Sequence, residues 1–292
     1  MHSISLGWGF LKQAWNMAFQ DKDLLKPSLY ALVAGMLVSV LGIIPLAGAY
    51  LLFGAEGIGG MVTFVVGGAL VFAQFMVTYI FSAMTVYLIY GFLSEGDGKM
   101  EKAWAMVRRD FWDILTLAAA STAVNLLKSA AQKNKKNHLA ANLMRSATSL
   151  LETLWTEASY LILPAMVIDD LNLKDGLRRV ANITKDNLLL IGVSTVGVKF
   201  VTGAIGFLVT LMGIALAGVV AFGTLSLGAD AGLTIAGLIL AALIFLPFVL
   251  VASIFSSYIN TAYHTCLYIW ARDVERAGGR VSAPAPLAAA LG

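Results

Sequence analysis

Ser253, Ser257, Thr261 and Thr265 recur every four residues late in an otherwise apolar run, and Ser256, Asn260, His264 and Tyr268 form a parallel row beside them. On a helix the two rows share one broad face. Hydroxyl, amide and imidazole groups at membrane depth need partners, so such a face turns toward protein or water rather than lipid. Two chemistries follow: a hydrated path for a polar solute, or hydrogen bonding between helices. Lys199, Glu152, Glu157 and Asp113 are the other candidates, charges set in or beside apolar runs where an ionisable side chain marks a pathway by default. Their structural alternatives are a snorkelling Lys199 and acidic residues that lie outside the bilayer.

Other chemistry is not signalled. Gly192 and Gly197 have phosphate-loop spacing but are followed by Val198 and Lys199 instead of Gly-Lys-Ser/Thr. Asp170, Asn172, Lys174 and Asp175 miss the ligand register of a calcium loop, with Gly176 one place late. There is no Gly-x-Ser-x-Gly elbow and no His-Glu-x-x-His. Cys266 is the only cysteine, which rules out an intrachain disulfide and a cysteine-based zinc site, and His2, His138 and His264 are far apart. No catalytic residue, metal or cofactor is expected. Twenty basic against 17 acidic residues leave a net +3, too little to point to nucleic acid.

The elements that must position these residues are membrane helices. Hydrophobic residues make up 59% and charged residues 13% of the 292, where a soluble domain carries about 25% charge. We read residues 1–270 as a single polytopic all-α membrane domain, a helical bundle, with 271–292 as a disordered tail rich in Ala and Pro. Trp8, Leu11, Trp15 and Phe19 recur at helical spacing opposite Lys12, Asn16 and Gln20, which predicts an amphipathic interfacial helix over 1–20. The start lacks the basic and apolar blocks of a cleavable signal. Uncharged runs over 28–53, 61–93, 200–227 and 232–252 are long enough to span. Lys199 then falls at the inner interface, and the second and fourth spans extend inward. Leu173, Leu177, Val180 and Thr184 line a second interfacial helix over 171–187, with basic residues around it that suit anionic lipid at the inner face.

Charge placement sets the orientation. With four crossings, the outer connections 54–60 and 228–231 carry only Glu56 and Asp230, and all 20 Lys and Arg lie on the other side. Basic residues beside spans stay in the cytoplasm, so both termini are expected inside the cell inner membrane. Residues 100–168 hold two weaker apolar runs joined by Lys128, Lys133, Lys135, Lys136 and Arg145. Sending that basic turn across would break the charge rule, so 100–168 is read as a helical hairpin on the cytoplasmic side. Six crossings are the alternative, under which Glu152 and Glu157 become the leading pathway residues. The side occupied by Lys135 and Asn137 separates the two.

Three segments resemble a widespread group of uncharacterised bacterial multi-pass membrane proteins. They are Trp8–Trp15 with the Asp-Lys-Asp-Leu-Leu-Lys-Pro run at 21–27, Leu163–Asp170 with the basic helix at 175–186, and Tyr258–Asp273. The resemblance implies about six hydrophobic helices and no established activity. Gly213, Ala217 and Ala221 at four-residue spacing, and Gly228 with Gly232, allow close helix packing within or between protomers. The reading that follows is a non-enzymatic, homo-oligomeric pore or transport component lined by the polar face of the last helix. Its rival is a membrane scaffold or assembly factor that binds a membrane-protein partner or organises lipid; an enzyme acting on lipid comes third.

Overall fold

The computed structural model describes residues 2–54, 57–133, 138–226, 231–277 and 281–291, and every regular element among them is helical. In order they are α1 (His2–Gln20), a 3-10 turn (Lys22–Leu24), α2 (Lys26–Phe53), α3 (Ile58–Glu95), α4 (Met100–Arg109), α5 (Phe111–Lys133), α6 (His138–Asp169), α7 (Leu173–Ser226), α8 (Ala231–Ala277) and α9 (Ala285–Leu291). Glu56, Gly228 and Asp230 of the outer connections, and the turn containing Lys135, Lys136 and Asn137, lie outside the described residues.

Length organises the bundle. Helices α3, α7 and α8 have 38, 54 and 47 residues. At the α-helical rise they reach about 57, 81 and 70 Å, against a hydrocarbon core of about 30 Å. The outer halves are bare: Val65 is 63% exposed, Phe222 73% and Leu243 61%. The inner halves share one buried core in which Phe10, Met84, Leu88, Ile162, Tyr258, Ile259, Tyr263 and Leu267 are fully or almost fully enclosed. Apolar side chains this exposed over so long a stretch need lipid as their solvent. The molecule is therefore a multi-pass membrane protein whose helices run from a lipid-facing end into a packed end.

Small residues knit the lipid-facing half. A side chain at Gly213 would come within 2.7 Å of the Phe248 side chain, and one at Gly237 within 2.4 Å of that of Thr224, so each glycine lets a side chain of the facing helix pack onto its backbone. The Gly213 stripe thus serves packing within one chain. Gln74 of α3 donates to the Gly35 carbonyl (2.9 Å) and to Ser39 Oγ (2.7 Å), which pins α2 to α3. Gly96, at φ 78°, ends α3 in the left-handed conformation that glycine adopts without strain.

Several expectations need correction. Among the described residues five helices are long and apolar enough to cross, one more than the four runs read as spans, the addition being Phe111–Ala131 within α5. Its Asp113 sits in the first turn, where a carboxylate suits the helix dipole. Residues 100–168 do contain a hairpin, α5–α6, but it climbs along α3 into the bare half. Ser121 meets Tyr79, and Leu126 meets Gly68, about 16 Å further out along α3. Leu127, Leu150 and Leu154 face outward on it as lipid-facing residues do. Residues 171–187 are no separate interfacial helix but the inner third of α7, continuous with its span. Helix α1 is amphipathic, yet its buried face is Phe10, Ala14, Met17 and Ala18 with Leu11, while Trp8 and Phe19 point outward. It docks by close approach of Gly7 to Gly197, by Phe10 edge-on to Tyr263 and by a hydrogen bond from Tyr258 to the Ala14 carbonyl (3.0 Å). The tail is folded as well: α8 runs to Ala277, and α9 buries Leu287 in the same core, against α1.

One carboxylate holds the inner ends together. Asp169 accepts from Tyr268 (2.5 Å), Arg272 (3.3 Å) and Arg276 (3.3 Å), with Arg179 at 4.0 Å, and its side chain is 13% exposed. It joins the end of α6 to the start of α7 and the end of α8. Arg179 continues the network to Glu275 (2.5 Å). Its neighbour Asp170 pairs only with Arg109 (3.2 Å) and is 70% exposed. Removing one member of a buried pair costs about 3–5 kcal/mol, and removing an exposed pair at most about 1. Asp169→Ala should therefore lower the unfolding midpoint in detergent sharply while Asp170→Ala barely moves it; equal shifts would contradict the hub.

Candidate functional site

The predicted polar row on α8 divides in two. Ser253 and Ser257 are exposed and Ser256 and Asn260 half-buried, whereas Thr261, His264 and Thr265 are buried in the protein core. Thr261 donates to the Ser257 carbonyl (2.9 Å), Thr265 to the Thr261 carbonyl (2.7 Å), and His264 Nδ1 bonds the Asn260 carbonyl (2.7 Å). The inner part of the row is thus bonded to its own helix and lines no continuous path.

The predicted charges are paired across helices. Lys199 of α7 forms an ion pair with Glu157 of α6, and His264 Nε2 of α8 faces the same carboxylate at 3.8 Å. Tyr160 stacks on His264 (4.8 Å between ring centres), and the Lys199 ammonium lies 5.7 Å from the Tyr160 ring. Lys199 therefore does not snorkel alone: it closes a three-helix contact. Because Nδ1 of His264 is committed to a carbonyl acceptor, a proton on Nε2 would complete its pairing with Glu157. Glu152, one turn and a half earlier on α6, pairs with Lys128 of α5 and locks the hairpin.

Beyond Tyr160 lies a cavity that the sequence did not announce. It holds about 120 Å³ between α3, α5, α6 and α8, lined by Thr78, Tyr79, Ser121, Asn125, Glu152, Trp155, Thr156, Ser159, Tyr160 and Thr261 among others. Ser121 Oγ is its centre, accepting from Trp155 Nε1 (2.8 Å) and sharing a hydrogen bond with Tyr79 (2.7 Å). Of the predicted residues, only Glu152 and Thr261 reach it. A sequence signal was available in α5, where Ser121, Asn125 and Ser129 repeat every four residues in an apolar helix.

The cavity has neighbours. An open groove of about 690 Å³ lies between α2, α3 and α5, lined by Gly35, Ser39, Val71 and Gln74 and by Phe75, Thr78 and Asn125, which also wall the cavity. A further groove of about 450 Å³ carries on to Tyr50, Gly60 and Thr63 at the outer ends of α2 and α3. Asn125 borders all three spaces. From Thr78 to Gly60 the line follows α3 for about 27 Å, close to the thickness of the hydrocarbon core. Along it Thr78, Gln74, Ser39, Asn125, Ser129 and Thr63 form a sparse polar track on an apolar wall. Among the described residues, no group of three or more His, Cys, Asp or Glu could hold a metal ion.

No family model matches the chain, and no curated protein or solved structure matches it significantly.

The row and the charge cluster predict different sensitivities. Ser253→Ala and Ser257→Ala, both at exposed positions, should leave unfolding in detergent within about 0.5 kcal/mol of wild type. In a double-mutant cycle, Lys199→Met and Glu157→Gln should show coupling, of about 0.5–3 kcal/mol for groups in contact. Additive effects of that pair would remove the three-helix contact from the account.

Proposed function

We propose that the protein is a non-enzymatic membrane transport component that moves an amphiphilic solute along the outer face of α3. The supporting observation is the row of three neighbouring spaces from Tyr50 and Gly60 to the inner cavity, with Asn125 bordering each. The groove is open along its side, so a polar head could follow the track while its apolar chains stay in lipid. The path is thus placed on α2, α3 and α5 instead of the polar row of α8.

This reading takes six crossings: α2, α3, α5, α6, α7 and α8. The support is the position of α5 against the bare half of α3, since its partner α6 must return if α5 crosses. The resemblance to a group with about six hydrophobic helices agrees. Lys128 and Glu152 then pair at membrane depth, where neither would be tolerated alone. Both termini stay inside, and the basic turn after α5 goes against the charge rule, which is a bias in loop composition and not a barrier.

The test is transbilayer movement of an acyl-labelled phospholipid in vesicles containing the purified protein. Movement at least about tenfold faster than in empty vesicles is expected, equivalent to roughly 1.4 kcal/mol off the barrier. Asn125→Leu, which closes the common point with an apolar chain, should abolish most of that gain. Movement indistinguishable from empty vesicles would contradict the transport reading and leave the scaffold in its place.

A further inference from the structure

Four hydroxyls that line the inner cavity have committed their protons, while Ser82, Asn125 and Tyr160 carry the further donors of the lining. Thr78, Thr156, Ser159 and Thr261 each give their single hydroxyl proton to a backbone carbonyl of their own helix, at 2.9, 2.8, 2.8 and 2.9 Å. What each hydroxyl has left is acceptor capacity. Trp155 Nε1 is likewise committed, to Ser121, so its ring and not its N–H is what remains to meet a guest. Glu152 adds a carboxylate to the lining, and the cation that pairs with it, Lys128, is not part of that lining. The walls are completed by the rings of Phe75, Tyr79 and Tyr160.

Acceptors, a carboxylate and aromatic faces together favour a positively charged donor. An ammonium group gains charge-assisted hydrogen bonds from the acceptors and attraction from the rings. A phosphate or carboxylate would meet the Glu152 carboxylate in a poorly screened site. The volume, about 120 Å³, admits a head of only a few heavy atoms. The apolar groove on the other side of Phe75, Thr78 and Asn125 adds that the head is attached to apolar chains lying along α3.

We propose that this cavity binds the ammonium end of an ethanolamine-type lipid head, through the Glu152 carboxylate, the hydroxyl lone pairs and the aromatic walls. The proposal rests on the transport reading for how the head arrives, but binding can be measured without transport. Titration calorimetry on the full-length protein in detergent would compare short-chain phosphatidylethanolamine with short-chain phosphatidylglycerol. The ethanolamine lipid should bind at least about tenfold more tightly. Glu152→Gln and Trp155→Leu should each erase that preference and leave the glycerol lipid unchanged. Thr156→Val, a near-isosteric loss of one acceptor, should weaken it severalfold without disturbing the Lys128 pair, and thermal melting of each variant separates binding from folding. Equal binding of both lipids, or tighter binding of phosphatidylglycerol, would overturn the ammonium site even if vesicles show transport. Selective binding without transport would instead overturn the transport reading alone.

Discussion

Three helices here are longer than any bilayer can contain, and the rest of the architecture follows from where the excess goes. A helix of 54 residues that crosses a core of about 30 Å leaves more than half its length to be covered by protein or water. In this chain the inner parts of α3, α7 and α8 converge with α1, α4, α6 and α9 into one core. Asp169 fastens the ends by drawing Tyr268, Arg272 and Arg276 onto one carboxylate. Because the inner ends are fixed, the outer halves need few contacts of their own. The close approaches at Gly213 and Gly237 hold α7 to α8, and Gln74 holds α2 to α3. A loosely covered outer half on a rigid base leaves a groove between α2 and α5 without loss of the fold.

Polar groups at membrane depth are handled in three ways. Most hydroxyls bond back to the carbonyl one turn earlier on their own helix, as Thr210 does to Gly206 and Thr261 to Ser257. Such a bond satisfies the proton and leaves a lone pair, so a helix rich in Ser and Thr need not line water. Charges are paired between helices, Lys128 with Glu152 and Lys199 with Glu157, so that removing either partner strands the other. The third group, around Ser121, joins side chains of different helices, with Trp155 donating to Ser121 and Tyr79 sharing a hydrogen bond with it, and it lies in the wall of the inner cavity.

Much of the fold is legible in the sequence, because long uncharged runs leave few alternatives. The runs at 28–53, 61–93 and 232–252 each lie within a long helix, and Pro27 sits at the start of α2 as its geometry favours. Legibility falls where the deciding partner is distant in the chain. Counting charges along the hairpin sees Lys128 alone, whereas the structure pairs it with Glu152, 24 residues on. In α1 the rings at Trp8, Trp15 and Phe19 read as a face for the membrane surface, and the docking through Gly7 and Ala14 was not legible, because small residues weigh little in a hydrophobic pattern. An Ala- and Pro-rich tail reads as unfolded until Leu287 finds the core. The cavity was the least legible feature: it draws single residues from four helices, and only the spacing of Ser121, Asn125 and Ser129 hinted at it.

The central claim is that the face of α3 between α2 and α5 is a polar track and not merely a seam filled by lipid. Thiol accessibility tests it most directly, on a background in which the buried Cys266 is replaced by Ser. Cysteines introduced by Gln74→Cys and Asn125→Cys should react with a small, charged, water-borne thiol reagent in native membranes. Leu41→Cys, on the exposed apolar face of α2, should not. Protection of the two track positions to the same degree as Leu41→Cys would mean that lipid or protein fills the groove, and the account would fail.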